Sequence, residues 1–117
     1  MRTHNTTHVT SIAFAALLSF SICALAEAGA DLAKQKECLS CHAIDKTNNV
    51  GPSLKNISSK FGGWKNAQYM LEQAVVQGSE GSGVYHWGNV RMPPSAARTP
   101  VTKDEARELV AWILSLK

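Results

Sequence analysis

The amino-acid sequence predicts a small all-α domain of about four to five short helices. Apolar residues recur with helical spacing between positions 67 and 75, where they form the stripe of an amphipathic helix. A second apolar stripe lies near the end of the chain, directly after the capping pattern Thr102-x-x-Glu105. No segment shows the alternation of apolar and polar residues that is typical of a half-buried strand.

The first two predicted helices flank a polar loop. Asp31 is a suitable N-cap for a helix over residues 32–37. The stretch 43–52 is polar and contains turn-forming Asn, Gly and Pro residues, which favour a loop. A short helix is then expected over residues 53–60, and the glycine pair that begins at Gly62 should close it.

A long loop separates the last two predicted helices. Gly78 is expected to end the helix over residues 67–77 as a left-handed C-terminal residue. Residues 78–101 are dense in Gly, Pro and Ser, and a loop of this length is uncommon unless it has a function. The final helix should begin after Thr102 and bury the face made by Ala106, Leu109, Val110, Ile113 and Leu116.

Residues 1–26 have the pattern of a secretory signal peptide. Arg2 precedes an apolar stretch over residues 12–24, and Ala24-Leu25-Ala26 form a cleavage pattern of small residues. The apolar stretch is short and rich in Ala and Ser for a membrane span. We expect removal of residues 1–26, which leaves residues 27–117 as one small domain. Cleavage a few residues later and an uncleaved N-terminal anchor helix are the alternatives.

The charge and the cysteine content of the chain reduce the number of functions that the sequence supports. The formal net charge is +3, and Arg2 leaves with the signal segment. This modest charge does not favour binding of nucleic acid or of membranes as the main function. Cys23 leaves as well, so the two remaining cysteines, Cys38 and Cys41, belong to one motif. Export implies an oxidising compartment, in which a disulfide is an alternative use of this pair.

Residues Cys38-Leu39-Ser40-Cys41-His42 form the pattern C-x-x-C-H, which attaches a c-type haem covalently. Each thiol adds to one haem vinyl group, and the adjacent His is placed to become the proximal iron ligand. Zinc is an alternative, but it needs about four ligands, and within residues 27–117 His86 is the one other usual soft or imidazole ligand outside the motif. A dithiol redox pair would lack its βαβ context. Haem attachment agrees best with the motif, the export signal and the helices.

The sixth iron position has three candidate ligands, and it decides whether the haem transfers electrons or binds small molecules. Met70 lies on the apolar stripe of a helix, so we expect it in the core. Met92 precedes Pro93-Pro94, whose stiff backbone would present it, and a thioether stabilises ferrous iron. His86 is the rival ligand, or else a solvent-facing loop residue. We expect Met92 to be the ligand.

Five motifs follow one another along residues 27–117: Cys38-x-x-Cys41-His42-Ala43-Ile44-Asp45, Val50-Gly51-Pro52, Trp87-Gly88-x-x-x-Met92-Pro93-Pro94, Asp104-Glu105-Ala106 and Ala111-Trp112-Ile113-Leu114-Ser115. In composition and order they resemble the small bacterial class I cytochromes c of the c-551/c-552 type. The resemblance implies the small class I cytochrome c fold, with short helices wrapped around one covalent haem c. It also implies that residues 27–117 are the cytochrome c domain.

The resemblance implies roles for individual residues. His42 and Met92 match the family's two axial ligands, proximal and distal. The Pro52 carbonyl matches the acceptor for the other nitrogen of the proximal imidazole, a contact that orients the ligand. Trp87 matches an indole that donates its N–H to a haem propionate, and Trp112 matches a core aromatic where the first and last helices cross.

Three departures from the family's pattern concern the surroundings of the haem. Residues 79–86 and 96–101 form longer segments than is usual. Ser95 stands where an Asn able to hydrogen-bond the ligating sulfur is common. The helix over residues 67–77 has no central Arg, where one often meets a propionate. These differences affect the expected reduction potential more than the expected ligation.

We therefore expect a soluble periplasmic electron carrier, not an enzyme, in which one haem cycles between ferric and ferrous iron. The resemblance implies respiratory protein partners, with a cytochrome complex as donor and a terminal oxidase or nitrite reductase as acceptor. The protein should be a monomer that binds no nucleic acid and does not insert stably into a membrane. The alternative is a haem enzyme, or a protein that binds gas or peroxide at an open or displaceable sixth position.

Overall fold

The computed structural model describes residue 24 and residues 26–46, 50–82 and 90–117. Within these ranges the chain forms α-helices and two short 3-10 turns and no strand, so the predicted all-α class is confirmed. The helices are α1 (residues 26–35), α2 (Leu54–Phe61), α3 (Ala67–Ser82) and α4 (Lys103–Ser115). The 3-10 turns are Cys38–Ser40 and Ser95–Ala97.

Helix α1 begins before Asp31, so the predicted helix start is wrong. The residues ahead of Asp31 are mostly alanine and glutamate, which are strong helix formers and extend the helix towards the N-terminus. Asp31 lies on the exposed face and pairs with Lys34 at 3.3 Å, one helical turn away. The helix also ends earlier than predicted, because Glu37 has a left-handed backbone with φ of 58°.

A glycine allows α1 to approach α4 closely. A Cβ atom at Gly29 would lie 2.4 Å from both Cβ and Cγ of Trp112, so no larger residue fits at this crossing. Trp112 is buried there, together with Ala33 of α1. The expected position of Trp112, where the first and last helices cross, is confirmed.

Helix α2 is fixed at both ends by serine side chains. Ser53 is its N-cap, and the Ser53 hydroxyl accepts a hydrogen bond from the backbone N–H of Asn56 at 3.1 Å. Near the other end, the buried Ser58 hydroxyl contacts the carbonyl oxygens of Leu114 and Leu116, at 3.2 and 2.8 Å. These contacts tie α2 to the last turn of α4. The predicted helix over residues 53–60 is therefore confirmed to within one residue.

Helix α3 is broken at Gly78 and then continues to Ser82. Gly78 has φ of 76° and ψ of 174°, so the expected positive φ is confirmed. The predicted loop over residues 78–101 is partly wrong, because residues 79–82 are helical and Ser95–Ala97 form a 3-10 turn. The extra turn is held by Ser79, whose backbone N–H donates to the carbonyl of Met92 at 3.1 Å.

Helix α4 has the capping box that the sequence predicts. The Thr102 hydroxyl accepts from the backbone N–H of Glu105 at 3.2 Å, and the Glu105 carboxylate accepts from the backbone N–H of Thr102 at 2.8 Å. Four of the five predicted face residues are buried, while Leu116 is only partly covered. Trp112 joins them in the core.

Helices α2 and α3 both pack on the buried face of α4, which therefore organises the core. One cluster joins α1, α2 and α4, and its buried members are Ala33, Leu54, Val101, Ala106, Leu109, Trp112 and Ile113. The other joins α2, α3 and α4, and its buried members are Phe61, Ala67, Leu71, Ala74 and Val110. Met70 packs against this second cluster, as predicted for a core methionine.

Candidate haem-binding site

A cavity of about 300 Å³ lies between the four helices and the segment around Met92. Its walls are mostly apolar side chains from the helices, such as Leu54, Phe61, Val75 and Leu109. Cys38, Cys41, His42, Pro52 and Met92 also line it. An apolar cavity with a few converging polar and sulfur groups is the usual form of a cofactor site.

A tight turn presents the two thiols and the imidazole to the cavity. Glu37, with its left-handed backbone, starts the turn, and its carbonyl accepts from the Ser40 hydroxyl at 2.5 Å. The backbone N–H groups of Cys41 and His42 both donate to the carbonyl of Cys38, at 3.3 and 2.9 Å. This local hydrogen bonding shapes the backbone turn that carries the three reactive side chains.

The thiols are available for attachment chemistry. Cys38 and Cys41 are not joined in a disulfide. Burial raises the pKa of the Cys38 thiol, although the positive charge of Arg98 opposes the shift. The raised pKa favours the neutral thiol form of Cys38 over the thiolate. Among the described residues, which do not include His86, no group of three or more usual metal-binding side chains comes together.

The imidazole of His42 is oriented by the backbone of Pro52. Nδ1 of His42 lies 2.7 Å from the Pro52 carbonyl oxygen, and because a carbonyl can only accept, Nδ1 is the protonated nitrogen. Burial lowers the pKa of His42, and the hydrogen bond to Pro52 opposes this shift. A neutral ring with Nδ1–H leaves Nε2 as the nitrogen with a free lone pair, which is the form that binds metals.

Gly51 brings the backbone against the face of this ring. A Cβ atom at Gly51 would lie 2.8 Å from Cε1 and 3.0 Å from Nδ1 of His42. The backbone N–H of Gly51 also donates to the Cys41 carbonyl at 3.0 Å. The glycine therefore allows the loop to close on His42 while it aligns the Pro52 carbonyl with Nδ1.

Met92 is held by the broken end of α3. Its backbone N–H donates to the Ser79 hydroxyl at 3.0 Å, and its carbonyl accepts from the Ser79 backbone N–H at 3.1 Å. Gly78 is packed so closely that an added Cβ would lie 2.6 Å from the Met92 carbonyl oxygen. Sequence reasoning missed the role of Ser79. A small polar residue directly after the helix-ending glycine was the available signal.

Arg98 is a second residue of the site that sequence reasoning missed. It lines the cavity, its Nε donates to the Pro93 carbonyl at 3.2 Å, and its Nη2 donates to the carbonyl of Val75. Desolvation lowers its pKa, and the neighbouring thiols of Cys38 and Cys41 oppose the shift. An Arg four residues after the Pro93-Pro94 pair was a signal that sequence reasoning did not use.

The structure thus brings together most of the predicted site. Cys38, Cys41, His42, Pro52 and Met92 border the same cavity. Two residues are not among those that the structure describes: Trp87, expected near a propionate, and His86, the rival ligand.

The comparisons with known proteins agree with this arrangement. The cytochrome c family model matches residues 26–117. The chain belongs to the cytochrome c family. It is 43% identical over 94 residues to cytochrome c-551 of Stutzerimonas stutzeri. The matched region covers 80% of this chain and 82% of that relative.

Solved structures of cytochromes c share the fold. The crystal structure of Nitrosomonas europaea cytochrome c552 matches 75% of this chain and 99% of that protein, at 36% identity with a TM-score of 0.64. The class 1 cytochrome MtoD of Sideroxydans lithotrophicus matches 77% of this chain and 94% of its own, at 27% identity with a TM-score of 0.59. The predicted class I cytochrome c fold is confirmed.

As a cytochrome c, the chain is a small monohaem electron carrier with one haem c, covalently bound through Cys38 and Cys41. The cavity fits this group, because it combines apolar walls, two unpaired thiols and a neutral imidazole. None of the described helices combines the length and apolar character needed to cross a bilayer.

Proposed function

We propose that this cytochrome c is a soluble periplasmic one-electron carrier of a respiratory chain, with His42 and Met92 as its axial iron ligands. The observation that carries the proposal is the shared cavity. Cys38, Cys41, the oriented His42 and Met92 all line one mostly apolar cavity. A six-coordinate site with two protein ligands exchanges electrons, whereas an open position would favour small-molecule chemistry.

His42 is the proposed proximal ligand. The hydrogen bond from Nδ1 to the Pro52 carbonyl fixes the tautomer and the ring orientation, and it increases the electron density on Nε2. Because His42 follows Cys41 directly, covalent attachment of the thiols would hold its backbone in place. Pro52 therefore acts as an orienting residue for the ligand.

Met92 is the proposed distal ligand. The backbone N–H and carbonyl of Met92 each form a hydrogen bond with Ser79, which restricts how far the segment can move. The prolines that follow Met92 restrict it further. Haem c supplies an iron that alternates between the ferric and ferrous states, and a neutral thioether ligand favours the ferrous state. A segment that keeps Met92 in place in both states minimises the rearrangement that accompanies each transfer.

The proposed location rests on the signal-peptide pattern, and the proposed partners rest on the resemblance to the c-551/c-552 cytochromes. Residues 1–26 are proposed to direct export and then to be removed, so that residues 27–117 form the mature protein, a monomer. Most of the signal segment lies outside the residues that the structure describes. A respiratory cytochrome complex is the proposed donor, and a terminal oxidase or nitrite reductase the proposed acceptor. Trp87 is proposed to donate its indole N–H to a haem propionate.

The replacement Met92→Ala tests the ligation directly. Methionine bound to ferric haem gives a weak far-red charge-transfer band, which should be present in the wild-type protein and absent from the variant. Met70→Ala is the matched control, since it removes a thioether that packs on the core cluster outside the cavity, and the band should remain. A band that survives in Met92→Ala would contradict the assignment.

Small ligands provide the complementary test of the carrier function. The wild-type protein should bind carbon monoxide and cyanide slowly and incompletely, because Met92 must leave first. Met92→Ala should bind both rapidly. Rapid and complete binding by the wild-type protein would overturn the electron-carrier proposal in favour of an enzyme or a gas-binding protein.

A further inference from the structure

Residues 98–100 form a strap that connects three separate parts of the haem site. Arg98 donates to the carbonyls of Val75 in α3 and of Pro93, the neighbour of Met92. The hydroxyl of Thr99 donates to the carboxylate of Glu37. The strap lies within the segment 96–101, which is unusually long for this type of cytochrome.

The Lys36 side chain binds the end of the strap at Pro100. Its Nζ donates to the Pro100 carbonyl at 3.0 Å and pairs with the Glu105 carboxylate at 2.8 Å. Lys36 and Glu37 immediately precede the first haem thiol, Cys38. The strap therefore connects the attachment turn with the backbone that carries Met92.

Arg98 differs electrically from the other arginines that the structure describes. Arg91 pairs with Glu80 at 2.5 Å, and Arg107 pairs with Asp104 at 3.1 Å. None of the ion pairs between described residues involves Arg98, whose guanidinium donates to neutral backbone carbonyls. Its guanidinium therefore has no carboxylate partner among the described side chains, and it lies partly buried at the wall of the cavity.

We propose that Arg98 is a positioning residue that fixes the Met92 segment on α3, and that its positive charge at the wall of the cavity raises the reduction potential. The positioning role rests on the proposed ligation by Met92. Arg98 binds the carbonyl of Pro93 with one nitrogen and that of Val75 with another, so its planar fork holds two chain segments at a set distance.

The effect of the charge follows from electrostatics and does not depend on the distal ligand. The oxidised protein carries one more positive charge at the site than the reduced protein. A fixed positive charge nearby therefore disfavours the oxidised form, and partial burial reduces the screening by water. Arg98, Cys38 and Cys41 line the same cavity, which places this charge beside the site of haem attachment.

Two substitutions in the haem-loaded protein separate the two roles. Arg98→Gln removes the charge, whereas Arg98→Lys keeps the charge but cannot reproduce the two-point contact. Arg107→Gln is the matched control, because it removes the same charge from an exposed ion pair on α4. The readouts are the reduction potential, the rate of cyanide binding and the pH at which the far-red band disappears.

We expect Arg98→Gln to shift the oxidised-to-reduced ratio at fixed ambient potential by about tenfold towards the oxidised form, or 59 mV for a one-electron couple. Arg98→Lys should keep most of the potential, bind cyanide several-fold faster and lose the far-red band at lower pH. Arg107→Gln should change none of the three readouts.

Equal potentials in Arg98→Gln and Arg107→Gln would overturn the electrostatic role. Unchanged cyanide binding and band stability in Arg98→Lys would overturn the positioning role. A wild-type protein without the far-red band would instead refute Met92 ligation, and with it the positioning role. The comparison of potentials would still decide the effect of the charge in that case.

Discussion

Replacing Gly78 with alanine tests how strongly the broken end of α3 supports the distal side of the site. Gly78 has φ of 76° and ψ of 174°, a backbone conformation that is almost exclusive to glycine. An added Cβ would also lie 2.6 Å from the carbonyl oxygen of Met92 and 2.8 Å from the backbone nitrogen of Pro94. These contacts involve backbone atoms, so rotation of a side chain cannot relieve them.

The expected loss of stability has three contributions. Forcing alanine into this conformation costs about 1–3 kcal/mol. Relief of the backbone overlap costs about 1–3 kcal/mol, as in other overpacked sites. Alanine also reduces the entropy of the unfolded chain, which returns about 0.4–1 kcal/mol. The net loss of about 1–6 kcal/mol is a considerable share of the total stability of a small domain, about 5–15 kcal/mol.

Denaturant unfolding of the haem-loaded protein measures this loss, and the far-red band reports whether Met92 moves with the strained backbone. Gly63→Ala is the matched control, because a Cβ at Gly63 meets no atom within 4 Å. That variant should stay within about 0.5 kcal/mol of the wild type. A loss below about 1 kcal/mol in Gly78→Ala would refute the argument that this close approach fixes Met92.

Three other substitutions test separate contacts. Gly51→Ala should displace the His42 ring, since the new Cβ would lie 2.8 Å from Cε1, and a shifted potential in a redox titration would show it. Thr102→Ala should lower the unfolding free energy by about 1 kcal/mol, whereas Thr102→Ser, which keeps the hydroxyl cap, should lose much less. In the wild type, the hydrogen bond from the Lys36 side chain lowers the pKa of Glu105 most, and the hydrogen bond from the Thr102 backbone lowers it further. Lys36→Gln should therefore raise the pKa of Glu105. Because the pKa of Glu105 is lowered, the Glu105 carboxylate stabilises the fold fully at pH values above its ordinary pKa of 4.5. This contribution disappears as the pH falls through the lowered pKa. An NMR titration that finds the same Glu105 pKa in the variant and the wild type would contradict the assignment.

The accuracy of the sequence predictions depended on how locally each feature is determined. The capping box of α4 involves residues three positions apart, so its residue types are sufficient to predict it. The same holds for Ser53 at the start of α2. Asp31 misled the prediction, because an aspartate that could cap a helix can equally lie on the exposed face of a longer one.

Features that depend on distant contacts were not predictable in this way. The helical turn over residues 79–82 follows a strong termination signal at Gly78, and its first residue is bound to Met92, 13 positions further along. Arg98 reaches Val75 across 23 positions. Neither contact leaves a periodic pattern, so residue types alone could name Met92 as a candidate without identifying what holds it.

The difference between local and long-range contacts also distinguishes the His42 side of the haem site from the Met92 side, and we expect the two sides to differ in their free energies of local opening. His42 is held by a turn of adjacent residues, by Pro52 ten positions away and by its covalently attached neighbour Cys41. Met92 depends on the end of α3 and on the strap of residues 98–100, whose contacts with Lys36 and Glu37 are exposed and close loops of more than 60 residues. Exposed contacts that close long loops are the first to open in local unfolding. We therefore expect the distal side to open at a lower free energy than the proximal side, which makes the contacts around Met92 the part of this fold on which a stable reduction potential depends.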